Sequence, residues 1–555
     1  MKEIMSPWQR FIGLLELDKR DIKQIFYYAV FAGLVALSLP LGIQAIINLI
    51  QGAQLSSSWI VLVSLVTLGV AFQGGLQIMQ IRILENIQQK IFMRSSFEFV
   101  YRFPKIKSSA LRNSYSPELA NRFFDTLTVQ KGLSKILIDF PAAALQIVFG
   151  IILLSFYHSF FIIYGVLLVV LIYIVFRFTA KKGLETSLQE SKSKYKVAHW
   201  IQEIARSLVS FKLSGNTSLA MNRNDALTTE YLEARENHFR ILLLQFIQMI
   251  GFKILVTAGL LIIGGLLVLN QQMNIGQFVA AEIIILLVIN SVEKLIKGLE
   301  TFYDVLTSLE KIGQIVDKEL ENQEGIDPFE TKQDLKIQLE KVSYVTPEGL
   351  QILNKIDLSI TQKDRILLEG ASGSGKTTLL KLLSGIKFPS NGTLYVNETS
   401  IKGIWPNRYR SQVGQVLPEQ LTFEGSILEN ITFSDPNISR ERLNEVLKNL
   451  GLLTFIKAQP NGLHTVLYPQ GQQIPRTIAK RIVLARAIVH EPKLLLLKDP
   501  LEHLEHEQAK AIVDYLTHES QPWAIVVSSG SPLWKRNCSQ TIQLIEGTLK
   551  TKGNA

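Results

Sequence analysis

Apolar residues are unevenly spread along this chain. In the N-terminal half they gather into six runs, at about 25–50, 58–81, 137–157, 159–178, 246–269 and 276–297. Most of these reach the roughly 20 residues that a helix needs to cross a hydrocarbon core about 30 Å thick. The connections between the runs differ in kind. Those at 51–57, 158 and 270–275 hold no Lys or Arg, whereas 82–135 and 179–240 are dense in them, with Arg82, Lys90, Arg94 and Arg102 in the first and Lys181, Lys182, Lys192 and Lys196 in the second. Because basic loops stay on the cytoplasmic side, the N-terminus, both long connections and the C-terminal half are expected in the cytoplasm.

The long inner connections keep apolar residues at threes and fours from Ile81 to Tyr101 and from Thr186 to Gln248. That spacing predicts helices which continue well past the membrane. A polar, Pro- and Ser-containing patch, Phe103 to Pro117, supplies a break at the far end. After the sixth run, helix is expected to about Val316. An acidic stretch beginning at Glu319 then reads as a linker, giving a membrane part over 1–318, a linker over 319–333 and a second domain over 334–555. Ser6 to Arg20 mixes Trp8, Phe11 and Leu14 with Arg10, Glu16 and Lys19. It reads as a short helix lying along the membrane interface or as an ordinary amphipathic helix.

Polar residues inside the apolar runs are candidates for function. Lys253 and Glu282 are not expected to pair: by the rise per residue Lys253 lies roughly 24 Å from the outer end of its run and Glu282 only about 9 Å from that of the next. Lys253 then sits near the inner surface, where it snorkels or lines a pathway. Gln77, Gln146, Glu282 and Asn290 either face an internal cavity or hydrogen-bond between helices. Pro40 and Pro141 are expected to mark kinks.

In the C-terminal half the pattern changes to short apolar strands and amphipathic helices. Arg365-Ile-Leu-Leu-Glu reads as a buried strand and Thr378-Leu-Leu-Lys-Leu-Leu as a helix. Between them Gly370-Ala371-Ser372-Gly373-Ser374-Gly375-Lys376-Thr377 fits the P-loop pattern, with Thr378 following. In that context the glycines let backbone N–H groups turn in around phosphates and the helix start adds its positive end. Lys376 reaches the outer phosphates, and the Thr377 hydroxyl is the candidate Mg²⁺ ligand. ATP is the expected cofactor, with Mg²⁺ the open question.

Composition agrees with a membrane protein. Of 555 residues, 47% are hydrophobic and 19% charged, against about 25% charged in soluble domains. The net charge of +10 is accounted for by the basic inner connections, so nucleic acid is not an expected partner and membrane lipid is. Cys538 is the only cysteine, which excludes an internal disulfide. The first run is too long for a cleavable signal peptide and is preceded by Lys19, Arg20 and Lys23.

Taken whole, the chain resembles a half-transporter of the ABC exporter superfamily. The resemblance rests on the six spans and the P-loop, on Tyr409-Arg410 and Val413-Gly414, on Phe423 to Ile431, on Asn461 to Thr465, and on Arg481 to Ala487. Ala36 to Leu49 and Ile275 to Ala281 look like the protein- and peptide-secreting branch. The resemblance implies an α-helical polytopic membrane domain, six transmembrane helices with cytoplasmic extensions, plus an α/β P-loop NTPase domain. It also implies a bacterial inner-membrane location. About 24 residues precede the first span, so the peptidase domain of some relatives is expected to be absent.

The departures are informative. Where the family has its Leu-Ser-Gly-Gly-Gln signature, this chain has Ile474-Pro-Arg-Thr-Ile478, and Pro475 has no N–H to offer a phosphate. After the strand Leu494 to Leu497, the family's Asp and catalytic Glu are replaced by Lys498 and Asp499. Asp499 is thus the remaining candidate catalytic carboxylate, one methylene short, and a Lys beside Mg²⁺ replaces attraction with repulsion. The positions of the family's Gln, switch His and loop Asp align with Pro418, Ser529 and Glu505, with Gln420 or Glu419 as nearby substitutes for the first. The aromatic that stacks on adenine aligns with Thr346; Tyr344 is the candidate to do that work, or it packs within the sheet. Lys498 either neutralises phosphate charge in place of the metal or turns to solvent.

The expected activity is therefore export of a peptide, protein or lipid-like substrate by a dimer, a homodimer or a heterodimer with another half-transporter, with ATP bound and its hydrolysis impaired or absent. The alternative is a non-transporting scaffold or nucleotide-gated regulator docking a secretion-system partner.

Overall fold

The computed structural model describes residues 5–52, 57–111, 114–330 and 334–551. By contacts the chain divides between Glu319 and Leu320.

The first unit is helical. A short helix α1 (Pro7–Leu17) is followed by α2 (Lys19–Ala36), α3 (Ser38–Gln51) and the 46-residue α4 (Ser57–Arg102). Short helices α5 (Ser108–Leu111) and α6 (Ser116–Asn121) make the turn at the polar patch, and α7 (Asp125–Ser134) leads back to α8 (Phe140–Ser155). Then come α9 (Phe160–Arg206), α10 (Leu208–Leu213), α11 (Leu219–Leu269) and α12 (Ile275–Val316). At 1.5 Å per residue the four longest run about 60–75 Å, twice the apolar thickness of a bilayer. The helical extensions past the apolar runs that the periodicity predicts are present, and α12 stops at Val316 as expected.

Five helical stretches among the described residues are long and apolar enough to cross a membrane; the fourth run forms the start of α9, where the described apolar stretch is Phe160–Ile174. Both prolines sit at irregularities. Helix α2 gives way to α3 at Leu37, three residues before Pro40, and a π-helical turn over Lys135–Asp139 precedes Pro141. In each case a proline without an N–H leaves the carbonyl four residues back without its helical donor.

Helix α1 does more than lie in an interface. Ser6 and Gln9 form a capping box at its start. Phe11, 4% exposed, packs edge-on against Phe302 of α12, while Arg10 pairs with Glu310 and Asp317. Those α12 residues lie beyond the sixth apolar run, so α1 is held against the extension of α12 past that run.

The polar residues in the apolar runs also resolve. Gln146 accepts a 2.8 Å hydrogen bond from Ser291, an interhelical role. Gln77, Lys253 and Asn290 are exposed on their helices and Glu282 is half-buried. No Lys253–Glu282 ion pair is present among the described residues.

The second unit is built on two larger sheets. Strands β1 (Lys336–Val345) and β2 (Gln351–Thr361) pair antiparallel, and β4 (Asn391–Val396) and β5 (Thr399–Ser400) continue that sheet in the order β2-β1-β4-β5. The other sheet contains β3 (Arg365–Glu369), β6 (Val413–Val416), β9 (Leu494–Lys498), β10 (Ala524–Ser528), β11 (Gln540–Ile545) and β12 (Thr548–Thr551), ordered β12-β11-β3-β10-β9-β6. A two-stranded ribbon joins β7 (Gly425–Ser426) to β8 (Val466–Leu467). The helices of this unit are α13 (Lys376–Leu383), α14 (Pro406–Arg410), α15 (Ile427–Thr432), α16 (Arg440–Asn449), α17 (Leu453–Lys457), α18 (Arg476–Ile488), α19 (His506–Thr517) and α20 (Pro532–Asn537).

The strands β3, β10 and β9 are parallel neighbours, and each of Leu494 to Leu497 in β9 is fully buried. Continuous apolar runs of this kind mark a sheet covered on both faces. In such a sheet the loops after the carboxyl ends of neighbouring strands converge, which is where ligands bind.

Candidate functional site

Three loops meet at that edge: Gly370–Gly375 after β3, Lys498-Asp499 after β9 and Ser528–Gly530 after β10. They enclose a cavity of about 780 Å³. Gly370 has φ +148°, and a side chain there would collide with the Leu544 carbonyl oxygen; Gly375 has φ +102°, and a Cβ would press on Leu353 and the Ile352 carbonyl. Both positions demand glycine. The eight-residue α13 starts immediately afterwards, aiming its free N–H groups and positive end at the cavity.

Lys376 is folded over its own loop. Its Nζ donates to the carbonyls of Gly370 and Ala371, both at 2.7 Å, and to Ser374 Oγ at 3.3 Å. Burial holds this ammonium below the usual lysine range and Lys498 adds to the effect, with Asp499 opposing it. The carbonyls stand where an entering phosphate would offer better acceptors, so the loop is suited to a polyphosphate. Ser372, Gly373, Ser374, Thr377 and Thr378 line the cavity, and Ala371 faces solvent.

Opposite the loop, Lys498 and Asp499 form an ion pair with each other. Asp499 has φ +43°, and its N–H donates to the Ser528 carbonyl at 2.9 Å. The pair occupies the strand end where a metal-positioning carboxylate would be needed. Magnesium requires near-octahedral oxygen coordination. Here the Asp499 carboxylate is engaged by an ammonium, leaving the Thr377 hydroxyl as the oxygen the sequence assigned to the ion. Lys498 thus places a cation in the same cavity as the hydroxyl assigned to that ion.

The remaining predicted positions divide. Ser529 lines the cavity and its Oγ accepts from Ser531 N at 3.2 Å. Pro418 is exposed outside it; Gln420 accepts from Leu417 N at 2.9 Å and Glu419 pairs with Lys381, so neither substitute lines the cavity. Glu505 is an exposed N-cap residue of α19. Tyr344 is not among the residues lining the cavity; its hydroxyl accepts from Lys387 at 3.0 Å and the same ammonium lies 4.5 Å from its ring centroid. Thr346 closes a turn, bonding to Leu350. At the signature position, Pro475 is the N-cap of α18 and Arg476 its exposed first residue.

Among the cavity residues that no motif announces, two carry polar groups of interest. Lys535 of α20 lines it and pairs with Glu369 at 3.5 Å. Ser528 is fully buried with an unpartnered hydroxyl. Neither carries a motif; the parallel pairing of β3, β10 and β9 brings in Ser528, and α20, following β10, brings in Lys535.

Comparison with known proteins agrees with this geometry. Residues 25–292 match the family described as ABC transporter transmembrane region, and residues 353–502 the family described as ABC transporter. Leukotoxin translocation ATP-binding protein LktB of Mannheimia haemolytica is 27% identical over 354 residues, 63% of this chain and 50% of that protein; the LktB of Bibersteinia trehalosi matches equally. The matched region thus spans about half the length of these curated relatives. A solved structure of a bacterial Atm1-family ABC exporter with ATP bound superposes with a TM-score of 0.84 at 15% identity, covering 97% of this chain and 95% of that one, which shows a shared fold. With a transmembrane region and a cassette on one polypeptide, the chain belongs to the ABC transporter family and has the architecture of an exporter half-transporter.

Proposed function

We propose that this half-transporter binds ATP at the cavity beside Lys376 and leaves it largely uncleaved, and that it does so without a divalent cation. The observation that carries this reading is the Lys498–Asp499 pair at the end of β9, facing an intact phosphate loop. Bound ATP brings a γ-phosphoryl group whose transfer to water would be the reaction. The Gly370–Gly375 backbone and Lys376 hold the phosphates. Lys498, with Lys535 at the rim, offsets negative charge that a metal handles elsewhere. The Asp499 carboxylate is engaged by Lys498 rather than free to orient a water. Loss of one well-placed transition-state donor costs roughly a hundredfold or more in rate, and here the metal carboxylate, the longer catalytic carboxylate, the switch His and the signature glycines are all replaced.

The membrane part, 1–318, joins through 319–333 to the cassette, 334–555, and the cassette lies in the cytoplasm with the N-terminus. The protein acts as a dimer, with itself or with a second half-transporter, in exporting a peptide, protein or lipid-like substrate across a bacterial inner membrane; the likeness to leukotoxin translocation proteins supports the protein-secreting choice. The test is ATP binding and turnover measured on the purified full-length chain, alone and with a co-expressed half-transporter. Tight binding with turnover restored only by the second chain supports transport in a heterodimer. Binding without turnover in either preparation favours a nucleotide-gated scaffold, and turnover by the chain alone at ordinary exporter rates overturns the proposal.

A further inference from the structure

A second charged cavity lies in the helical unit, of about 740 Å³, between the start of α1, helix α6, the cytoplasmic half of α9 and the end of α12. Its cations are incompletely matched. Lys311 of α12 is 7% exposed and makes no hydrogen bond or ion pair among the described residues; its Nζ lies 4.9 Å from the Tyr195 ring centroid and faces the cavity. Arg122 is nearly as buried. Its Nη2 reaches Glu118 at 3.5 Å, but its Nε and Nη1 are buried with no acceptor. Lys192, exposed at the rim, also has no ion pair among the described residues.

The carboxylates nearby are shared: Glu118 serves Arg122 and His199 together, and the charges of Asp125 and Glu310 act on Lys311 without pairing with it. Glu118 holds His199 at 3.1 Å, Glu310 pairs with Arg10 at 3.5 Å, and Asp125 accepts the Tyr195 hydroxyl. Lys196, the other lysine at the rim, is paired with Glu230 at 2.6 Å. Water hydrates a rim lysine easily, but a buried ammonium beside an arginine with two unused donors carries a desolvation cost that only an acceptor-rich group repays. The N-terminus of α1, at Ser6 and Pro7, opens on the same space and adds its positive end.

We propose that this cavity binds a multivalent phosphate-bearing anion, gripped by Lys311 and Arg122 at its base and Lys192 at its rim. Its volume falls within the range of small-molecule pockets, about 300–1,000 Å³. Residues 310–314 of α12 lie well past the sixth apolar run, roughly 20 Å along the helix, which places the site in the cytoplasm and favours a soluble phosphate over a lipid headgroup. Occupancy ties α6 and α9 to α12, the helix that leads to the linker, so the ligand reports a cytoplasmic state to the membrane unit.

The test is calorimetric titration of inorganic pyrophosphate into the full-length Lys376→Ala chain in nanodiscs, a background that removes the phosphate loop's share of binding. Pyrophosphate binding is expected to persist, to weaken roughly tenfold or more on Lys311→Met and a fewfold on Lys192→Gln, and to be unchanged by Lys448→Gln on the cassette surface. Melting curves check that each variant is folded, and Lys192→Gln, an exposed change, keeps the test informative if Lys311→Met is not. Absence of pyrophosphate binding in the Lys376→Ala chain, or binding indifferent to both Lys311→Met and Lys192→Gln, overturns the proposal. Equal isotherms with and without phosphatidic acid in the nanodisc assign the site to a soluble anion; displacement by phosphatidic acid assigns it to a lipid phosphate.

Discussion

The loop after β3 and the loop after β9 are one strand apart in the same sheet, with β10 between them, yet they have been treated in opposite ways. After β3 the backbone geometry is intact: three glycines at positive φ, a helix start and a lysine resting on carbonyls that phosphate oxygens would replace. After β9 the side-chain chemistry is inverted, an ammonium paired with a carboxylate in place of two acidic groups. The strand beneath them shows why both survive. Leu494 to Leu497 are fully buried, whereas Lys498 and Asp499 lie at its mouth and contribute little to the core. Residues that do chemistry at a strand end are free to change without endangering the fold, so binding and hydrolysis are separable by substitution.

The sharpest way to break that contrast is Lys376→Ala. ATP affinity is expected to fall roughly a hundredfold, through loss of charge-assisted contacts to phosphate, with the melting temperature nearly unchanged; fluorescent-nucleotide titration reads it. Retained affinity would mean that nucleotide binds elsewhere. Next in size is Lys498→Asp, which exchanges the replacement cation for a metal-attracting carboxylate. Nucleotide binding should become dependent on Mg²⁺, weakening about tenfold in chelator, while the native chain should change by less than about threefold. Pairing that variant with Asp499→Glu rebuilds both acids, and phosphate release should still stay low, because Ile474-Pro-Arg-Thr-Ile478 remains unsuited to the partner's phosphate. The smallest effect is expected from Tyr344→Phe. Since the phenol serves Lys387 rather than the cavity, nucleotide affinity should shift by less than about twofold, within the range of a surface change.

Local chemistry was readable and tertiary company was not. The P-loop announced itself because its requirement is a backbone conformation that only glycine at fixed spacing meets, and the long helices because their periodicity persists past each apolar run. For Tyr344 the sequence leaves adenine stacking and packing within the sheet both open, and its partner Lys387, 43 residues away, carries no local mark. For helix α1 the composition leaves an interfacial and an ordinary amphipathic helix both open, and only the buried Phe11 against Phe302 shows it docked on another helix. Ser528 reaches the cavity by strand pairing and Lys535 through α20, which follows β10, and sequence carries no local mark for either.

The account's central claim is that a competent phosphate cradle sits beside a disabled hydrolytic edge. It is tested most directly by measuring bound ATP and released phosphate on one sample of the purified chain, with Mg²⁺ and again with chelator. Near-stoichiometric ATP in both conditions, with phosphate release at least about a hundredfold below that of an intact exporter cassette, is the expected result. Brisk, Mg²⁺-dependent phosphate release that is abolished by Asp499→Asn would contradict it.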